Sequence, residues 1–211
     1  MMKIKKIAMQ LCLSSAVLAA MPAFAAEVAQ SSVQHYVVKN LNIGDLPVKT
    51  IVPITAKTAE QAIAQAKVIA SNPNADVAEF RIDLLEFSAD TKKVMALGQQ
   101  LNQILKDKPL IATIRTHNEG GKMTVSDQDY EKIYREYLKK PFMQLLDIEM
   151  FRDAGSVAKL TKLAHDKNVL VIMSNHDFAK TPEQQDIENR LLKQDQMGAD
   201  ILKIAVKQKK R

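Results

Sequence analysis

A chain of 211 residues, 46% hydrophobic and 26% charged, is long enough for one ordinary domain with a sizeable core. Its net charge of +6 gathers at the ends, with Lys3, Lys5 and Lys6 near the start and Lys207, Lys209, Lys210 and Arg211 at the finish. With no Trp, 5% aromatics and a near-neutral middle, the composition argues against a nucleic-acid partner. The one cysteine, Cys12, lies so early that disulfides, a thiolate nucleophile and Cys-based zinc sites are excluded from the mature domain.

Residues 1–25 read as a removable export signal. The three early lysines form a positive start, Ile7 to Ala20 is mostly apolar, and Ala23-Phe24-Ala25 has the small-x-small form of a cleavage site, predicting a cut before Ala26. The apolar run is shorter than the roughly 20 residues of a spanning helix. The expectation is a periplasmic protein without membrane contact after cleavage, its domain running over 26–211. Residues 26–34 read as a lead-in, and His35 to Asp45 as a small hairpin or cap.

From there the pattern is regular. Lys49 to Thr55 predicts a strand, and Thr58 to Ser71 an Ala-rich helix with Thr58 as N-cap. Strands over Val77 to Leu85, Pro109 to Thr116, Phe142 to Phe151 and Val169 to Ser174 alternate with helices over Asp90 to Lys106, Ser126 to Lys139, Gly155 to Lys167 and Pro182 to Met197. Ala199 to Val206 is the final strand. Strand then helix, repeated five times and ending on a sixth strand, predicts a parallel sheet flanked by helices. A doubly wound open sheet and a (β/α)8 barrel compete. No Gly-rich nucleotide loop follows any strand, and polar groups collect at the strands' C-terminal ends, as in barrel enzymes. A barrel needs eight strands, and six are legible here.

Two residues stand out as candidates for chemistry. Lys203 lies within Gly-Ala-Asp-Ile-Leu-Lys-Ile-Ala-Val, among apolar neighbours, where a lysine must snorkel to water or shed its charge. A neutral amine attacks carbonyls, and His176, at the end of the preceding strand, is a natural proton carrier. Glu79, Arg81 and Asp83 alternate onto one strand face and Phe80 onto the other; an ion-pair network is the competing reading, above all for Asp83. Arg115 stands at a strand tip and Glu119 in the following loop beside Gly120 and Gly121. Asp147 and Glu149 share a face and read as polar groups of a barrel lumen. His35, His117 and His165 show no convincing partners.

Taken in order, Glu79-Phe80-Arg81-Ile82-Asp83, Arg115-Thr116-His117-Asn118-Glu119-Gly120-Gly121, Asp147-Ile148-Glu149, Ser174-Asn175-His176-Asp177-Phe178 with Thr181-Pro182, and Gly198 to Ile204 resemble type I 3-dehydroquinate dehydratase. The resemblance runs from about His35 to Val206. It implies a (β/α)8 barrel, usually homodimeric, with no metal and no cofactor. It makes Lys203 the Schiff-base lysine for the C3 ketone of 3-dehydroquinate, His176 the general acid and base, and Glu119 the residue that orients His176. Glu79, Phe80, Arg81 and Arg115 become the substrate-binding set. Pro53 stands where some members supply a serine, and the family's last two strand–helix units have no counterpart after Val206, so a C-terminally truncated member is expected. Two other readings use the same residues: a remnant that at most binds ligand, and a class I aldolase-like barrel enzyme.

Overall fold

The structure is a computed structural model describing residues 34–207. The expected signal peptide with Cys12, and the last four residues of the basic run, lie outside the described residues. Six parallel strands lie side by side in chain order: β3 (Ile51–Ile54), β4 (Val77–Arg81), β5 (Leu110–Thr113), β6 (Leu145–Glu149), β7 (Leu170–Asp177) and β8 (Ile201–Val206). They are preceded by a two-stranded antiparallel hairpin of β1 (Tyr36–Val38) and β2 (Leu41–Ile43). The helices between the six strands are α1 (Ala59–Ser71), α2 (Thr91–Leu105), α3 (Asp127–Lys139), α4 (Ala154–Asp166) and α5 (Gln184–Gln196). Consecutive order without reversal is that of a barrel wall rather than a doubly wound sheet, so the result is a curled half-barrel.

The helices begin where capping chemistry permits. Thr58, Asp90, Ser126 and Asp153 each accept a backbone N–H from the first turn of α1, α2, α3 and α4 through their side-chain oxygens. Their apolar faces pack against the outward face of the sheet. There Phe80, Phe142, Tyr137, Tyr134 and Tyr130 form a chain of edge-to-face rings with centroids 4.7–6.3 Å apart. Gly98 of α2 lets that helix close on Phe142, since a Cβ at position 98 would lie 2.4 Å from the ring.

The hairpin fills the opposite end. Val38, Tyr36, Leu41 and Ile43 pack against Val77, Ile111, Leu145 and Ile172 from four neighbouring strands. Lys39, at the hairpin turn, reaches past the end of α2 and donates to the carbonyls of Lys106 (2.6 Å) and Lys108 (2.9 Å) and to Asn102 Oδ1 (2.8 Å). An ammonium at a helix C-terminus meets unpaired carbonyls, which anchors the hairpin as the floor of the half-barrel.

Four strands depart from expectation: β5 stops at Thr113 rather than Thr116, β6 spans Leu145–Glu149 rather than Phe142 to Phe151, and β4 and β7 differ at their ends. The fourth stops at Arg81 and gives way to a short 3-10 turn over Ile82–Leu84, because Asp83 is held by local and loop hydrogen bonds rather than by a ladder. The seventh runs on to Asp177, so His176 lies within the strand and not past its end.

Candidate active site

Alternation along each strand sorts the inner face by height. Above the apolar floor come Glu79, Thr113, Asp147, Glu149, Ser174, Lys203 and His176, with Thr113 beside Asp147, Glu149 beside Ser174, and His176 two residues farther along than Ser174. Ser174 is the register partner of Lys203, and His176 of Ala205. Lys203 and His176 therefore share a face of adjacent strands, offset by two residues. With strands about 4.8 Å apart and about 3.3 Å of rise per residue, that offset puts their Cα atoms about 8 Å apart.

Lys203 does not have the apolar shell expected of it. Its Nζ donates to Asp147 Oδ2 at 3.1 Å, lies 3.7 Å from Glu79 Oε1, and belongs to a side chain that is 31% exposed. The apolar residues beside it in sequence point the other way or stack above and below. The carboxylates come from β6 and β4, distant in sequence. Its backbone is fixed as well: Lys203 N–H donates to Gln194 Oε1 (3.1 Å), and Gln194 Nε2 donates to the Lys203 carbonyl (3.0 Å). Gln194, on α5, is fully buried.

Arg115 is the hub. Expected to meet substrate at a strand tip, it lies two residues past the end of β5, is 4% exposed, and both of its terminal nitrogens hold acceptors. Nη2 donates to Asp147 Oδ1 (2.8 Å), and Nη1 donates to Glu149 Oε1 (3.1 Å) and Ser174 Oγ (3.0 Å) and reaches Glu119 Oε2 (3.5 Å). Burial alone would lower its pKa, but the Asp147 and Glu149 carboxylates outweigh that and push it up. Burial would likewise raise Asp147, yet Arg115, Lys203 and the Ser174 hydroxyl bring it below its ordinary value. Glu149 goes the other way: burial raises it despite hydrogen bonds from Thr116 and the pull of Arg115, with Glu119 adding to the rise.

Glu119 reaches His176 from the loop after β5. Its Oε2 accepts from His176 N (3.0 Å) and lies 2.9 Å from His176 Nδ1. An Nδ1–H donated to the carboxylate leaves Nε2 as the free basic nitrogen. The loop folds back tightly, with Gly121 N–H on the Thr116 carbonyl at 2.8 Å. A Cβ on Gly121 would lie 1.9 Å from the Arg115 carbonyl oxygen, so only glycine fits. Phe178 stacks near His176, with centroids 6.1 Å apart.

Other candidates fall outside this group. The Phe80 side chain is fully buried on the outward face against Phe142, so it cannot line the lumen. Arg81 is bound two-handed by Asp83, both contacts at 2.9 Å, and Asp83 also accepts the backbone N–H groups of Arg115 and Lys122, a structural knot. Pro53 lies in β3 beside Glu79. His35 and His165, read as unpartnered, meet Asp45 (2.7 Å) and Asp200 (2.8 Å). Strand alternation already puts Ser174 on the face of His176, but Gln194 was passed over, and a polar residue at a helix position facing the sheet was the available signal for it.

A lysine and a carboxylate-held histidine on adjacent parallel strands, opening at the C-terminal ends of a βα wall, define a site of the (β/α)-barrel enzyme class. Residues 50–211 match the type I 3-dehydroquinase family model, and the chain belongs to that family. It is 81% identical over 176 residues to the catabolic 3-dehydroquinate dehydratase of Acinetobacter baylyi, a match covering 83% of this chain and 65% of that protein. Among solved structures it is similar to the 3-dehydroquinate dehydratase of Enterococcus faecalis, with TM-score 0.78, 41% identity, and coverage of 80% of this chain and 70% of that one. It is also similar to the type I enzyme of Clostridium difficile, with TM-score 0.80, 34% identity and coverage of 83% and 69%. The chain thus spans about two thirds of the length of these relatives.

Proposed function

We propose that the site dehydrates 3-dehydroquinate to 3-dehydroshikimate through an imine on Lys203. The observation that carries this reading is the placement of the Lys203 amine, next to Asp147 and Glu79, on the same sheet face as a histidine whose Nδ1 is taken up by Glu119. The carboxylates beside Nζ hold the end of the side chain on the inner face. The amine adds to the C3 carbonyl and water leaves, forming a C=N bond. The iminium draws electrons and makes the C2 proton acidic, and His176 Nε2 removes it to give an enamine. The enamine electrons expel the C1 hydroxyl, which leaves as water with the proton returned by His176. Hydrolysis of the imine then consumes one water and frees the amine, so the net change is loss of one water.

The name of the Acinetobacter baylyi relative favours a catabolic role for that chemistry, and residues 1–25 favour action in the periplasm. Fractionation of expressing cells, with the mature N-terminus read by mass spectrometry, tests the second point: Ala26 in the periplasmic fraction supports it, and uncleaved cytoplasmic protein contradicts it.

Borohydride trapping tests the chemistry. Incubation with 3-dehydroquinate and borohydride, then peptide mapping, should place a reduced adduct on Lys203. An adduct with aldol substrates but not with 3-dehydroquinate would favour an aldolase. No adduct with any carbonyl would leave a ligand-binding remnant.

A further inference from the structure

One oxygen of Glu119 serves His176; the other has its own partner. Asn175 Nδ2 reaches Glu119 Oε1 at 3.4 Å, and Asn175 is 4% exposed. Its amide oxygen accepts a short 2.7 Å hydrogen bond from Arg190 Nη1, in the middle of α5. A guanidinium has donors and no acceptor, so Arg190 compels the amide oxygen to face it. The NH2 group is then what Glu119 meets. Arg190 is itself braced, 3.7 Å from Asp177 Oδ2 and with its guanidinium 5.8 Å from the Phe151 ring.

We propose that Asn175 and Arg190 are positioning residues that hold the Glu119 carboxylate, and through it the Nδ1–H tautomer of His176. Two anchors on opposite oxygens stop a carboxylate from turning about its last torsion. Oε2 also accepts from the His176 backbone N–H (3.0 Å) and lies 3.5 Å from Arg115 Nη1, so it stays anchored; removing the Asn175 donor frees Oε1, lets the carboxylate turn about Oε2, and loosens its alignment with Nδ1. Nε2, the nitrogen that must stay unprotonated to act as base, then loses its assignment. The device also ties the histidine to α5, the helix that grips the Lys203 backbone through Gln194, one helical turn from Arg190. Its catalytic meaning rests on the acid and base role given to His176 above; the tautomer itself does not.

The test is nitrogen NMR of the full chain labelled with 15N-histidine, without substrate, at a pH where the ring is neutral. In the unaltered protein the His176 Nδ1 signal should have the protonated, pyrrole-type position and Nε2 the pyridine-type one. In Asn175→Leu and Arg190→Gln the two signals should move toward each other, as tautomers mix. Asn175→Asp keeps a partner for Arg190 but removes the donor to Glu119, and should mix them too. Arg190→Lys, which keeps a cationic donor, should restore the original pattern. If Asn175→Leu does not fold, Arg190→Gln and Asn175→Asp carry the test. An unshifted Nδ1–H pattern in folded Arg190→Gln and Asn175→Asp overturns the proposal, as does equal mixing in Arg190→Lys and Arg190→Gln. Failure of imine trapping with the pattern intact would sink the dehydratase reading and leave this assignment standing.

Discussion

Arg115 binds three carboxylates, and Asp147 joins it to Lys203. Breaking a buried pair by removing one partner costs more than the pair contributes, since the other charge stays buried. Asp147→Asn should therefore destabilise the fold by about 3–5 kcal/mol, measured by denaturant unfolding. The pH dependence has a definite sign. Asp147 is held below its ordinary value, so its stabilising contribution is complete above about pH 4 and is lost as pH falls through the lowered value. Glu149 is held above its ordinary value, so its contribution is complete below about pH 4 and is lost as pH rises through the raised one. Unfolding midpoints between pH 3 and 7 should show the unaltered protein losing stability below pH 4 more steeply than Asp147→Asn. Parallel curves would contradict the assignment. The Arg115 hub was only half legible in the sequence: its place at a strand tip was readable, but not the convergence of β6 and β7 that turns it inward.

At the scale of elements, two close approaches set the site. Gly121 allows the loop after β5 to fold onto Arg115 and deliver Glu119 to His176. Gly121→Ala should cost about 1–3 kcal/mol or more as the loop is displaced, and should disturb the His176 signals, whereas a change at a solvent-exposed loop position should do neither. Gln194 on α5 satisfies both backbone groups of Lys203. Gln194→Leu orphans a part-buried donor and a part-buried acceptor, at up to about 1–3 kcal/mol each. Equilibrium unfolding of that variant checks this, and a loss within error of zero would mean that water replaces the amide. The elements themselves were well marked, because apolar runs and capping residues are local signals; Thr58 as the N-cap of α1 is one. The ends of β4 and β7 were not, because Asp83 leaves the ladder for loop partners and the β7 ladder carries on past Ser174.

At the scale of the molecule, the six strands form a wall whose end strands, β3 and β8, have no further strand beside them among the described residues, and they expose Ile51 (49%) and Leu202 (39%). Unpaired edges with apolar side chains template association. Light scattering should show concentration-dependent self-association of this chain that Leu202→Lys reduces; a monodisperse protein at every concentration would contradict that. The wall was legible as a βα repeat, but the surroundings of Lys203 were not. Its sequence neighbours are apolar, while its neighbours in space are carboxylates from β4 and β6. The central claim is a division of labour between an amine that forms a bond and an imidazole that moves protons. Borohydride trapping with 3-dehydroquinate on two variants, with product release followed in parallel, tests it most directly. Lys203→Ala should abolish the adduct, while His176→Ala should still form it and release product far more slowly; equal loss of the adduct in both would contradict the account.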